Sequence, residues 1–599
     1  MKVPLGRVSL AGVVAALVLA AAGCGGNDNG GGGSGATTNG GNGVPQGHKG
    51  GELTFLSAAD VDYVDPGQTY YVFGFMVQEA TNRALYSFKP DNSSDPIPDL
   101  ATGDPQISSD NKTITVKIRK GVKYAPPVNR EVTSKDIKYA FERAFSKNVP
   151  NGYAGTYFSS LVGAPSQPNT GPINPISGIQ TPDKYTIVFK LSEPQAPLVS
   201  QALVMPITVP VPEEYARKFD EHNPSTYDKN VAFTGPYMIR NDSKGALTGW
   251  SQGKRMELVR NSNWDAKTDF RPAYLDRVNI DMGNDDLTVA TRRALNGSNV
   301  ACCDAGLPPA PVLKQAVSRF KDQIVFAPAG GTRYASFNTT IKPFDNLNVR
   351  KAIIAASDRE ALRLARGGRF VGDIANGFLP PGLPGFEESG GLEQNTDLDF
   401  LAKPAGDPAL AKKYMLAAKQ DGVPVSADGK YTGPGNILTV ATNADPNKQM
   451  AEVFQFQIEK LGFKLNMRLV PRNTELTRFC DRPASKVAIC PTVGWFKDFT
   501  DPQSMLDATF NGDRILEQGN SNWPQLDVPE INRAMADASE LPVGKARDEA
   551  WAKINRMVTE QAPALPIVWD KTATVFSKDV QGVVNEYSTT LDLNYTSLE

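Results

Sequence analysis

A chain of 599 residues, 40% hydrophobic and 21% charged, is long enough for roughly two to four domains with cores of their own. Its 63 Lys and Arg against 65 Asp and Glu leave a net charge of −2, and no basic run interleaves with aromatics, so nucleic acid is not an expected partner. With only two histidines, His48 and His222, and with neither tandem Cys-x-x-Cys pairs nor a Walker A loop, zinc sites and His-assisted nucleophiles are poorly supplied. Neither a cofactor nor a protein-held metal is expected.

The chain opens on Lys2 and Arg7, continues through an apolar run at 8–22, and reaches Cys24 through Ala21, Ala22 and Gly23. A positive start, a short apolar stretch and small residues make a secretory signal over 1–23, and the run is shorter than the ~20 residues of a spanning helix. The segment resembles the lipobox of bacterial lipoproteins, with Ala21 where leucine is commoner. That resemblance implies a diacylglyceryl group on the Cys24 thiol and cleavage just before it. Buried acyl methylenes contribute ~0.8 kcal/mol each, so two or more chains hold a protein on a bilayer. A plain signal peptide with an incidental cysteine is the alternative. Residues 24–50 then read as a lipidated cysteine and a Gly/Asn-rich tether with a reach of roughly 28 Å. The G-x-G-x-x-G match at Gly30, Gly32 and Gly35 has no strand before it and no helix after it, so it is not a dinucleotide site.

Beyond the tether a first strand is expected at 51–56, followed by an aromatic run at 70–75. Residues 112–119 alternate as a strand, and Thr133 with Asp136 forms a capping box for a helix carrying Ile137, Ala140, Phe141, Ala144 and Phe145. A strand follows at 185–191, and 194–212 reads as a proline-punctuated loop. Residues 234–260 read as a hairpin. Its Gly249-Trp-Ser251-Gln-Gly253 copies the hydrolase nucleophile elbow in letters only, because a strand and not a helix follows the serine. From about 335 helices and strands alternate: helices at 347–356, at 359–366 after Asp358 and from 408 after Asp407, a strand at 437–442, a helix at 446–461 and a strand at 463–469. A strand at 487–493 runs into Trp495, two helices occupy 529–539 and 545–561, and 563–569 returns as a strand.

Besides Cys24 there are four cysteines, an even number that suggests two disulfides in an exported chain. A Cys480–Cys490 bridge would close a short loop and stabilise by roughly 3 kcal/mol in the chain-entropy model. Cys302 and Cys303 are neighbours, ~3.8 Å apart at Cα, tighter than ordinary disulfide geometry, and the sequence leaves open whether they pair with each other.

Five stretches in this order carry a family resemblance: 116–124 with 133–142, 233–237, 258–261, 343–352, and 495–502 (Trp-Phe-Lys-Asp-Phe-Thr-Asp-Pro). Over most of 52–599 they resemble the extracytoplasmic solute-binding proteins of family 5, the peptide/nickel class that serves ABC importers. The resemblance implies a two-lobed, periplasmic-binding-protein-like α/β fold of the large peptide-binding type. Lobe one would span 51–330 in two subdomains and regain the chain at 565–599, and lobe two would span 331–564. The hinge crossings would lie near 329–334 and 562–566. It further implies a monomeric, non-enzymatic receptor outside the cytoplasmic membrane that captures short peptides in an interlobe cleft and passes them to permease subunits. Oligosaccharides, a metal chelate or an amine metabolite are the alternative cargoes. A secreted hydrolase, using Ser251 or Asp498 with Asp501, is the alternative of a different class.

By the same resemblance Asp498, three residues after Trp495, would hold a peptide α-ammonium, with Trp495 and Phe496 excluding water. Thr492 stands where some peptide binders place an arginine for the ligand carboxylate, which leaves Arg333 as a substitute. Tyr71, Tyr334 and Asn338 complete the expected ligand contacts.

Overall fold

The computed structural model describes residues 44–599 apart from 167 and 304–306. The expected signal at 1–23, Cys24 and most of the tether lie outside the described residues. At the start of the described chain the Gly50 amide donates to the Tyr274 carbonyl at 2.9 Å, so the end of the expected tether is held against the body.

The architecture rests on two main sheets. In the first, Glu52–Leu56 lies parallel between Arg277–Asp281 and Val300–Cys302. Arg255–Arg260, Tyr237–Ile239 and the short Trp250–Ser251 extend it on one side, and Ala573–Phe576 and Ile324–Phe326 on the other. The second has the order Leu465–Val470, Ile437–Thr442, Ile489–Phe496, Gly331–Phe337, Ala564–Asp570. A four-stranded antiparallel sheet, Gln106–Ile107, Thr113–Lys117, Thr186–Lys190 and Ile179–Asp183, forms a further layer in the first half.

Local sequence explains most of these elements. Ile114 and Val116 of Thr113–Lys117 alternate into the core while Lys117 is exposed. Helix Ser134–Ala144 starts where the Asp136 carboxylate accepts the Thr133 amide at 2.7 Å, and it buries Ile137, Ala140, Phe141 and Ala144 along one face. Helices Leu347–Ala356, Arg359–Arg366 and Pro408–Gln420 begin at Asn346, Asp358 and Asp407, whose side chains accept amides of the first turn. Asn447–Glu459, with Met450, Phe454 and Ile458 buried, links the parallel strands Ile437–Thr442 and Leu465–Val470. The stretch expected as a loop at 194–212 holds a helix at Ala196–Gln201, since Pro197 sits in the first turn, where no amide is needed.

The chain passes between the two main sheets twice, at 327–330 and at 571–572. The second passage lies beyond the expected 562–566 crossing and the expected return at 565. Ala564–Asp570 stays in the second sheet, paired with Gly331–Phe337 from Ser336↔Ala564 to Gly331↔Asp570. Pro566 lies on an outer strand beside a register shift, where a missing amide is tolerated.

Cys480 is bridged to Cys490, and Cys302 to Cys303. Ion pairs buried in both halves fix the loops near the sheets: Arg143 with Asp65 and Asp220, Arg547 with Asp501, and Arg333 with Arg366 on Asp570.

Candidate functional site

Strand Ile489–Phe496 pairs with Gly331–Phe337, setting Trp495 opposite Thr332 and Phe496 opposite Gly331. Gly331 is required there: a Cβ would stand 2.1 Å from the Trp495 carbonyl oxygen. Successive strand residues face opposite ways, so Trp495 and Phe496 cannot both line one wall. Trp495 is the inward one. Its indole N–H donates to the Ser504 carbonyl at 2.8 Å, and its ring meets Tyr70 edge-on at 5.3 Å and Trp523 at 5.9 Å. Phe496 is half-buried beside Gly330 and Gly331 at the chain passage.

Past Phe496 the chain leaves the sheet and meets residues of the first half. Asp498, 4% exposed, receives two phenol hydrogen bonds on Oδ2, from Tyr70 at 2.8 Å and from Tyr157. Its backbone carbonyl accepts the Tyr587 hydroxyl at 2.6 Å. Among the described residues none donates to Oδ1. Burial pushes the Asp498 carboxyl up to about 7, against the pull of the Tyr157 and Tyr70 hydroxyls. The same burial and the neighbouring carboxylate raise both phenols well above their ordinary values, so they remain donors. A carboxylate with one oxygen held by fixed dipoles and the other without a donor is suited to a cation. Asp501 is spent otherwise: the Arg547 guanidinium donates to both its oxygens at 2.8 Å, and the Gln503 amide donates to one. Paired acid–base chemistry by Asp498 and Asp501 therefore has no free second carboxylate. Ser251 sits on Trp250–Ser251, which turns into the strand Arg255–Arg260 with no helix behind the serine.

The other expected contacts divide. The Tyr71 and Tyr334 hydroxyls are buried without a hydrogen-bond partner, and the Tyr334 ring packs on Trp523 and Phe378, each at 5.8 Å. Asn338 is taken up within the protein, donating to the distant Val487 carbonyl at 3.1 Å and accepting from the amide and hydroxyl of Thr340 in its own turn. Arg333, 3% exposed, gives its guanidinium to Asp570 and the Thr492 carbonyl and is not available to a ligand carboxylate.

Residues that sequence reasoning missed stand beside Tyr71. Glu475 is fully buried, both its carboxylate oxygens lack a hydrogen bond, and the Arg472 guanidinium lies 3.6 Å away. Asp481 accepts the Trp523 indole N–H at 2.7 Å and is pushed up to about 7 by burial. Asp62 accepts the Tyr70 amide at 2.6 Å and the Thr69 hydroxyl at 2.7 Å, and burial brings it up to about 6. The one local signal was a set of charges flanking Cys480, a bridged cysteine. Among the described residues no group of three or more His, Cys, Asp or Glu could hold a metal, and no helix is long and apolar enough to cross a membrane.

Two sheet-based halves joined by two chain passages, with a buried carboxylate of one half held by tyrosines of the other, have the build of a ligand-binding protein. The solved structure of the clavulanic acid biosynthesis oligopeptide binding protein 2 superposes with a TM-score of 0.72 at 27% identity, over 92% of this chain and 96% of that one. The oligopeptide-binding protein OppA of Bacillus subtilis is 23% identical over 80% of this chain and 81% of its own length. A dipeptide-binding protein of Pseudomonas aeruginosa is 25% identical over 90% and 93%. The profile of the bacterial extracellular solute-binding proteins, family 5, matches residues 95–516, and the chain belongs to that family.

Proposed function

We propose that this protein is the lipid-anchored, monomeric receptor of an ABC importer, capturing short peptides between its two halves and delivering them to a membrane permease. The observation that carries the reading is Asp498: a second-half carboxylate with one oxygen free of donors and the other held by Tyr70 and Tyr157 of the first half, Tyr70 itself lying against Trp495. The names of the relatives, which bind oligopeptides and dipeptides, support it. The halves act as lobes, 51–326 with 573–599 and 331–570, swinging about the two passages. Trp495, Tyr71 and Tyr334 line the cleft and Asp498 takes the α-ammonium.

Calorimetric titration with an unblocked tripeptide and its N-acetylated twin tests this. Only the unblocked peptide is expected to bind, and equal affinities would exclude recognition of the amine. The pH dependence has a fixed sign. Asp498 must be ionised to attract an ammonium, and its carboxyl protonates as pH falls through about 7. Affinity should therefore weaken between pH 8 and pH 5, by up to about tenfold per unit once below that value. For the anchor, Cys24→Ser is expected to move the protein from the membrane fraction to the medium or periplasm. Unchanged fractionation would remove Cys24 as the attachment point.

A further inference from the structure

Asp498 answers one positive charge, but the wall beside it leads to further carboxylates. Trp495 touches Tyr70 on one side and Trp523 on the other, and Trp523 donates to Asp481. Tyr71, next in sequence to the Asp498 donor Tyr70, feels the charges of Asp481, Asp62, Arg472 and Glu475 around its hydroxyl. Asp498 and the Glu475–Asp481 group are thus the two ends of one aromatic wall, Tyr70, Trp495 and Trp523.

The second end is short of partners. Glu475 is 0% exposed with both carboxylate oxygens lacking a hydrogen bond, and the Tyr334 hydroxyl, on a side chain 1% exposed, lacks one too while lying in the fields of Arg333 and Asp481. The Tyr71 hydroxyl repeats the pattern. Native interiors rarely leave such groups unmatched, because each costs roughly 1–3 kcal/mol. Charge is unmatched as well. Four carboxylates, Asp62, Glu475, Asp481 and Asp570, face three guanidiniums, Arg472 beside Glu475 and Arg333 and Arg366 shared on Asp570. Arg472 is itself 30% exposed and stands off at 3.6 Å without a hydrogen bond to Glu475. An occupant that donates hydrogen bonds and carries positive charge would answer both shortages, and the Tyr71 and Trp523 rings suit the stem or face of such a group.

We propose that the Glu475–Asp481 end binds the ammonium or guanidinium side chain of a lysine or arginine in the cargo, making this a receptor selective for basic peptides. The proposal rests on the peptide-binding reading above and adds a specificity to it.

The test uses the mature protein and unblocked alanine tripeptides in which lysine, or its uncharged isostere norleucine, occupies each position in turn. At one position at least, the lysine peptide is expected to bind about tenfold or more tighter than its norleucine twin. Glu475→Gln should reduce that ratio to within about threefold while leaving the norleucine peptide's affinity as it was. Asp481→Asn gives the same readout should Glu475→Gln fail to fold, as judged by circular dichroism. Norleucine binding as tightly as lysine at every position overturns the proposal and leaves the peptide-binding reading standing. So does a lysine preference that survives both substitutions. If no unblocked peptide of either kind binds, the functional reading falls, and the proposal with it.

Discussion

Asp498→Asn is expected to weaken an unblocked peptide at least ~10-fold, about 1.4 kcal/mol, in calorimetric titration at pH 8. The substitution keeps the side chain's shape and alters only its charge and one edge. An amide oxygen in place of Oδ2 still accepts the Tyr70 and Tyr157 hydroxyls. The amide nitrogen then replaces Oδ1, the oxygen without a donor, and a donor confronts the incoming ammonium. Stability should move the other way. Asp498 is raised to about 7 from an ordinary 3.8, so its contribution to folding is complete at low pH and declines as pH rises through 7. At pH 8 the peptide-free Asn variant escapes that decline, and its melting temperature should equal or exceed the parent's. Unaltered peptide affinity would remove Asp498 from recognition, whereas a sharp drop in melting temperature would make it a structural residue.

Asp570→Asn should show the reverse signature, a loss of ~3–5 kcal/mol in denaturant unfolding. Asp570 is fully buried and receives Arg333 Nε and Nη2 at 3.0 and 2.6 Å and Arg366 Nε and Nη2 at 3.1 and 2.8 Å. Burial pushes its carboxyl up, but the two guanidinium groups outweigh it and hold the residue below the ordinary range. Neutralising it leaves two buried cations facing an amide. Because Asp570 ends its strand one residue before the 571–572 passage, the damage falls where the sheets connect. A loss below ~1 kcal/mol would mean that the two arginines find other acceptors or water.

Periodicity and caps made the scaffold legible. The alternation of Ile114 and Val116, the Thr133–Asp136 box and the helical spacing of Met450, Phe454 and Ile458 are local facts that survive into the structure. Trp495 and Asp498 were reachable through the family resemblance. What escaped was set by contacts distant in sequence. Nothing near Arg333 announces that Asp570, 237 positions away, will consume its charge. Nothing near Tyr71 announces Glu475. Phe496 was placed with Trp495 by the resemblance, whereas the strand, expected to stop at 493, continues to Phe496 and its two-residue period turns the ring away. Asn338 looked available because the Val487 carbonyl that takes its amide lies 149 positions away.

The phenols on Asp498 have a consequence for what the site refuses. In water a carboxylate is surrounded by mobile dipoles that any counter-ion can rearrange, but here Tyr70 and Tyr157 form a rigid, one-sided hydration shell made of protein. A potassium or free ammonium ion would surrender its own waters for a single fixed oxygen and recover little. If Asp498 seats a ligand amine as proposed, an amine fastened to a longer molecule would bring the rest of that molecule's contacts with it, and abundant small ions would make poor competitors.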